Sequence, residues 1–125
     1  MSHFTKIETQ IRNLTMLRRA LDDLGYEYEV GEVKVRGFGG QTTLADLVIR
    51  QPNGYDIGFR WANGQYEMVA DLWGLRVDRE KFLHALTQRY AYHTIRAEAE
   101  AQGFAVVEEG IQPDGSIKLR VERWR

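Results

Sequence analysis

The sequence predicts an α+β fold: a mostly antiparallel sheet in the order β-α-β-β-β-β-α-β-β, with two helices packed on one face. One variant of that order divides it into two ferredoxin-like halves. Three observations carry the fold class. First, residues 55–72 read as a hairpin. With Asn63-Gly64 as a two-residue turn, Trp61 faces Tyr66, Phe59 faces Met68, Ile57 faces Ala70 and Tyr55 faces Leu72, all apolar. The other side pairs Arg60 with Glu67, Gly58 with Val69 and Asp56 with Asp71. Asn-Gly takes the positive φ angles of a type I′ turn, and a period of two is the mark of a half-buried strand. Second, two stretches carry apolar residues at helical spacing between an Asn or Asp cap and a glycine. Third, a second hairpin closes the sequence around Pro113-Asp114-Gly115.

In chain order, residues 4–11 read as a first strand, with Phe4, Lys6 and Glu8 alternating against Thr5, Ile7 and Thr9. Asn13 is the expected cap of a helix whose stripe is Leu14, Leu17, Leu21 and Leu24, and Gly25 suits the residue beyond its end. Residues 26–36 form a strand expected to be irregular near Gly31. Gly37-Phe38-Gly39-Gly40 precedes a strand rather than a helix. It therefore reads as a permissive turn with one exposed aromatic, not as a phosphate cradle. Residues 43–50 are the next strand. A two-residue turn at Asn53-Gly54 would set Leu47 against Arg60. A longer loop or bulge that sets Leu47 against Trp61 and Ile49 against Phe59 sorts apolar with apolar and is preferred. Asp78 caps the long helix, with Val77 and Phe82 placed for a hydrophobic staple. Phe82, Leu86, Tyr90, His93, Ala97 and Ala101 follow its repeat, and Gly103 ends it. In the last hairpin, Ile111 is expected opposite Ile117 and Val107 opposite Val121. The helix–Gly25–Tyr26–strand order echoes helix–Gly103–Phe104–strand, which is what suggests two halves.

The 125 residues are enough for one domain, read over positions 1–125, and 43% of them are hydrophobic, which sets disorder aside. A net charge of -1 exerts no general pull on nucleic acid, which is set aside as a partner. With no cysteine there is no disulfide, thiolate metal site or Cys nucleophile. Only Ser2 and Ser116 could offer a serine nucleophile, and neither sits on a rigid element. No stretch resembles a signal peptide or membrane span. The reading is a cytoplasmic domain without membrane insertion, or a stromal one where a plastid encodes it.

Candidate chemistry is sparse. His84 and His93, nine residues apart on one helix, face opposite sides and cannot share a metal. Glu80 and His84 read as a solvated i,i+4 pair. His3 would need another donor brought to it. Asp46, Asp56, Glu67 and Asp71 gather with Arg50 and Arg60 on the polar sheet face, where cross-strand ion pairing is the simpler reading than a cation site. Asp56 opposite Asp71 calls for relief by an arginine, a metal or exposure. Arg89, Tyr92 and Arg96 lie along one helix face.

Several runs are familiar. Met1-Ser2-His3-Phe4, Val35-Arg36-Gly37, Asn53-Gly54-Tyr55-Asp56-Ile57-Gly58-Phe59-Arg60-Trp61, Val69-Ala70-Asp71-Leu72, Leu86-Thr87-Gln88-Arg89-Tyr90-Ala91-Tyr92-His93-Thr94, Asp114-Gly115-Ser116-Ile117 and Arg123-Trp124 carry the likeness. Through them the chain resembles the hypothetical chloroplast reading frame thirty-five family, small proteins of cyanobacteria and algal plastids with bacterial relatives. Residues 73–78 are shorter than that pattern. The resemblance implies a cytoplasmic, stromal or thylakoid-associated setting. It implies no activity, cofactor or catalytic residue.

The residues point to a non-enzymatic module for binding or assembling with another protein, with a homodimer as a further option. Neither a cofactor nor a metal is called for. The candidate binding residues are Arg60, Glu67, Asp71, Arg89, Tyr92, His93 and Arg96. The alternative is a small-molecule sensor or enzyme with a helix–sheet pocket around His93, using Tyr90 and Asp71 as acid–base or orienting groups.

Overall fold

The computed structural model describes residues 4–123. His3 and Trp124, both invoked from the sequence, lie outside the described residues. The elements are β1 (Phe4–Glu8), α1 (Leu14–Asp23), β2 (Glu29–Arg36), β3 (Thr42–Ile49), β4 (Ile57–Ala62), β5 (Gln65–Asp71), α2 (Arg79–Ala101), β6 (Phe104–Ile111) and β7 (Ile117–Arg123). Their order is the expected one. Five strands form one antiparallel sheet in the order β1-β5-β4-β3-β2, and β6-β7 stand apart as a two-stranded sheet. The two-halves variant takes a different form: the strands divide five and two, and the echo stays local to the helix ends at Gly25 and Gly103.

Local signals act where the sequence places them. The Asn13 side chain accepts a hydrogen bond from the Met16 amide and Asp78 accepts one from Lys81, each satisfying an orphan N–H of a first helical turn. Asn63 and Gly64 both have positive φ, at 54° and 82°, so the β4–β5 turn twists in the sense of its strands. Trp61 faces Tyr66, Phe59 faces Met68, Ile57 faces Ala70, and Arg60 faces Glu67.

Two registers differ from expectation. Leu47 lies opposite Phe59 and Ile49 opposite Ile57, each two residues from the partner anticipated. A slip of two keeps every side chain on its expected face, so the apolar sorting survives. The longer loop has a cause in Gln51, whose buried amide donates to the carbonyls of Tyr55 and Gly74 and accepts from the Arg76 amide. In the last hairpin Ile111 faces Ile117, but a bulge beyond Glu108 sets Val106, not Val107, against Val121.

One face of the sheet carries the main core. Leu47, Ile49, Ile57, Phe59, Met68 and Ala70 pack against Leu17, Ala20 and Leu21 of α1 and Phe82 and Leu86 of α2. Trp61, expected to share this burial, is 49% exposed and rests edge-on against Tyr66, because it lies beyond the helices' cover.

The opposite face is not only the ion-paired polar face expected from the sequence. Val35, Ala45 and Val48 form a second small cluster with Phe4 and Val33 packed against it, and Asp56 and Asp71 are buried. Strand β2, irregular between Val30 and Val33 with Gly31 at φ 124°, brings Val35 over Gly58. A methyl group at Gly58 would stand 2.5 Å from Val35 Cγ2 and 3.0 Å from Ala45 Cβ. Gly58→Ala is therefore expected to destabilise by about 1–3 kcal/mol through overpacking. Urea denaturation should show a lower midpoint at unchanged slope.

Candidate functional site

The residues named from the sequence occupy three places. Arg60 and Glu67 form the expected cross-strand pair, with Arg60 Nη2 2.5 Å and Nε 3.0 Å from Glu67 Oε1. It is a partly exposed pair that fixes strand register and adds little stability.

Asp71 lies on the far side of the sheet from the helices. Its Oδ1 accepts from the Trp73 amide at 3.1 Å and its Oδ2 from the Phe38 amide at 3.1 Å. It thus ties the Gly37–Gly40 turn to the segment after β5. Gly37 is buried here, and a Cβ on it would meet the Phe4 ring at 2.8 Å and Asp71 Oδ2 at 3.2 Å. Phe38, expected to be exposed, is 44% so.

Arg89, Tyr92, His93 and Arg96 share α2, where they serve as two locks within the chain. Arg89 donates to Asp23 Oδ2 from Nε at 2.9 Å and Nη2 at 2.6 Å, and His93 Nε2 lies 2.5 Å from the same oxygen. Burial pushes the Asp23 carboxyl up, but the hydrogen bonds from Arg89 and His93 outweigh it and hold it below the usual carboxylate range. These contacts join the end of α1 to α2. One turn on, the Tyr92 hydroxyl donates to Glu109 at 2.6 Å while Arg96 Nη1 reaches the Tyr92 hydroxyl at 2.7 Å and Glu109 at 2.9 Å. Burial and the Glu109 hydrogen bond push the Tyr92 phenol up. This second lock fixes β6 on the C-terminal half of α2.

The pocket anticipated around His93 is not assembled. Tyr90 spends its hydroxyl on the Arg12 and Asn13 amides, His93 is engaged with Asp23, and Asp71 is across the sheet. The cavity beside His93 is small, about 230 Å³, and opens between the two helices with Arg19, Arg96, Ala97 and Glu100. Asp56, the other acidic residue in question, is relieved from within the chain by Arg36 and Arg50. Among the described residues no group of three His, Cys, Asp or Glu is placed to hold a metal ion, and no helix is long and apolar enough to cross a membrane.

A surface that the sequence reading missed lies at the loops after β3 and β5. Trp73 is 84% exposed, the most exposed large apolar side chain among the described residues, ahead of Ile111 at 74%. Asn53, Tyr55, Gly74, Leu75 and Arg76 line a concavity of about 350 Å³ with it. Gly74 packs under the Tyr55 ring, where an added Cβ would fall 2.0 Å from Cγ. Asn53 Nδ2 donates to the Gly74 carbonyl at 2.8 Å. The two loops are thus fastened together while Trp73 projects. Its sequence signal is a tryptophan outside both periodic patterns, directly before a glycine.

Comparison with known proteins agrees with the resemblance. The profile of a family described as "Protein of unknown function (DUF1257)" matches residues 20–120. A protein of Guillardia theta named "Uncharacterized protein ycf35" is 45% identical, covering 100% of this chain and 99% of that protein. Proteins of the same name from Pyropia yezoensis and Cyanophora paradoxa are 42% and 39% identical, again across at least 98% of each partner. No solved structure is a significant match.

Proposed function

We propose, from the premise that the chain belongs to the DUF1257 family of proteins of unknown function, that it is a non-enzymatic module that binds another protein. The observation that carries this reading is Trp73, a large apolar side chain held almost wholly in water on fastened loops. Exposing it is unfavourable unless something covers it, since a fully buried side chain of this size is worth about 3 kcal/mol. Trp, Tyr and Arg are the side chains that most often anchor protein interfaces, and here Tyr55 and Arg76 flank Trp73. A protein surface with an apolar notch and a carboxylate for Arg76 is the partner this geometry fits.

In this reading Asp71, Arg89, Tyr92, His93 and Arg96 hold elements in place, and Arg60 with Glu67 sets the strand register. None of them touches the partner. The setting is aqueous, in a cytoplasm or plastid stroma.

Trp73→Ala is expected to abolish retention of specific partners from an algal plastid extract, while its circular dichroism and melting temperature match wild type. Glu80→Ala, on the exposed first turn of α2, serves as the control and should retain them. Equal recovery of the same partners by Trp73→Ala and wild type would remove the proposal.

A further inference from the structure

We propose that two copies of this chain associate by antiparallel pairing of their β7 edges about a two-fold axis at Val121, joining both hairpins into one four-stranded sheet. The starting point is that β6 and β7 stand apart from the main sheet, so among the described residues β7 has no strand on its outer side. A two-stranded sheet is marginal by itself. Neither strand contains a buried residue, and Val107, Ile111 and Val121 are 43%, 74% and 38% exposed.

Backbone geometry says what the edge offers. The Gln112 amide donates to the Ser116 carbonyl at 2.7 Å and closes the hairpin. In an antiparallel ladder the bonded positions alternate, so Lys118 and Arg120 point their backbone groups at β6. Leu119, Val121 and Arg123 therefore turn their N–H and C=O groups outward, ready for another strand. The edges of the main sheet are poorer templates. β1 has only five residues, and β2 is kinked at Gly31 and carries Glu29, Glu32, Lys34 and Arg36. The outer edge of β6 is bulged beside the adjacent Glu108 and Glu109.

The side chains of β7 then select the partner and the register. A two-fold axis at Leu119 would set Lys118 against Arg120, and one at Arg120 would set that residue against itself. An axis at Val121 sets Arg120 of each copy against Glu122 of the other, twice, with no like-charge pair over residues 119–123. It also meets Val121 with Val121 on the face that carries Ile117 and Leu119. Opposite charges directly across an antiparallel pair stabilise it and like charges oppose it. The strand is thus complementary to itself, and a second copy of this chain is the occupant that its charge pattern fits. Within one chain Arg120 lies 3.1 Å from both Glu108 and Glu122, and its side chain stays 59% exposed.

Sedimentation velocity from micromolar to millimolar protein should show the mass move from one chain to two. Val121→Pro removes an outward N–H without touching the bonds to β6. Glu122→Arg replaces a side chain that is 61% exposed, so the fold is not at risk if the proline disturbs the hairpin. Each change is expected to raise the dimer dissociation constant at least about tenfold, since two symmetric contacts are altered at once. The exchange Arg120→Glu with Glu122→Arg, made together with Glu108→Arg so that the cross-strand pair to β6 is kept, should restore association. A wild-type chain that stays at one-chain mass throughout, a dimer that both single changes leave intact, or a combined exchange that restores nothing would overturn the proposal.

Discussion

Phe59→Ala is expected to cost about 3–5 kcal/mol of stability, close to the whole margin of a small domain. Phe59 is fully buried at the centre of β4. It sits where the sheet, α1 and α2 converge, with its ring centroid 6.5 Å from that of Phe82. Alanine would lose the ring's transfer free energy and leave a cavity that three surrounding elements cannot close together. Trp61, two positions along on the same side of β4, makes the informative comparison. It is larger, but it is 49% exposed and its main partner is the Tyr66 ring, 5.0 Å away between centroids. Trp61→Ala should therefore cost only about 1 kcal/mol, the scale of one aromatic pair plus partial burial. Urea denaturation of both variants checks the contrast. Equal losses would mean that the helices cover the whole strand, against the position of Trp61 seen here.

That comparison also marks where local sequence pattern stops being informative. The alternation through residues 57–61 and 66–70 specifies which side of the sheet each residue occupies, because a strand has only two sides. Asn63-Gly64, Asn13 and Asp78 specify a turn and two caps, because each solves a local backbone problem with its own side chain. How far along a strand the helices reach depends on packing between distant elements, and Trp61 reads the same as Phe59 without it. The β3–β4 register is a similar case. It depends on Gln51 and Asn53 reaching Gly74 across the fold, contacts that no repeat in residues 50–56 announces. On the candidate site, the helix face of Arg89, Tyr92 and Arg96 is legible from spacing, while His93 follows the apolar repeat; the partners they meet, Asp23 and Glu109, come from two other elements. Spacing on one helix does not say which of its side chains pair within the fold. Trp73 is the converse case: it belongs to no periodic pattern, and its exposure is a property of the assembled loops.

Asp56→Ala is expected to destabilise by about 3 kcal/mol at neutral pH, and the same substitution should flatten the acid limb of the stability curve. The Asp56 side chain is wholly buried, yet its carboxylate accepts four hydrogen bonds: from the Arg36 amide, Nε and Nη2 at 2.9, 2.8 and 2.8 Å, and from Arg50 Nη1 at 2.7 Å. Removing one member of a buried ion pair costs about 3–5 kcal/mol, chiefly by stranding the opposite charge. The lower end applies, because Arg36 and Arg50 keep 45% and 37% of their side-chain surface in water and can be rehydrated. What is lost beyond that is the bridge between the end of β2 and the start of β4, including the Arg36 amide left without its acceptor. The pH dependence follows from the same geometry. Burial pushes the Asp56 carboxyl up, but the hydrogen bonds from Arg36 and Arg50 outweigh it and leave it below the usual carboxylate range. A carboxyl whose folded value is depressed binds its proton more readily in the unfolded chain. Its stabilisation is thus full above the ordinary value of about 4 and is lost as pH falls through the folded value. Asp23 and Asp114 are lowered as well, so wild type keeps other acid-sensitive contributions, and the difference between the two proteins isolates Asp56. Urea midpoints measured from pH 7 down to pH 3 should converge between Asp56→Ala and wild type as the solution becomes acid. Parallel curves would mean that the carboxylate is not held by its arginines in solution, and that the second face of the sheet is more open than its packing here.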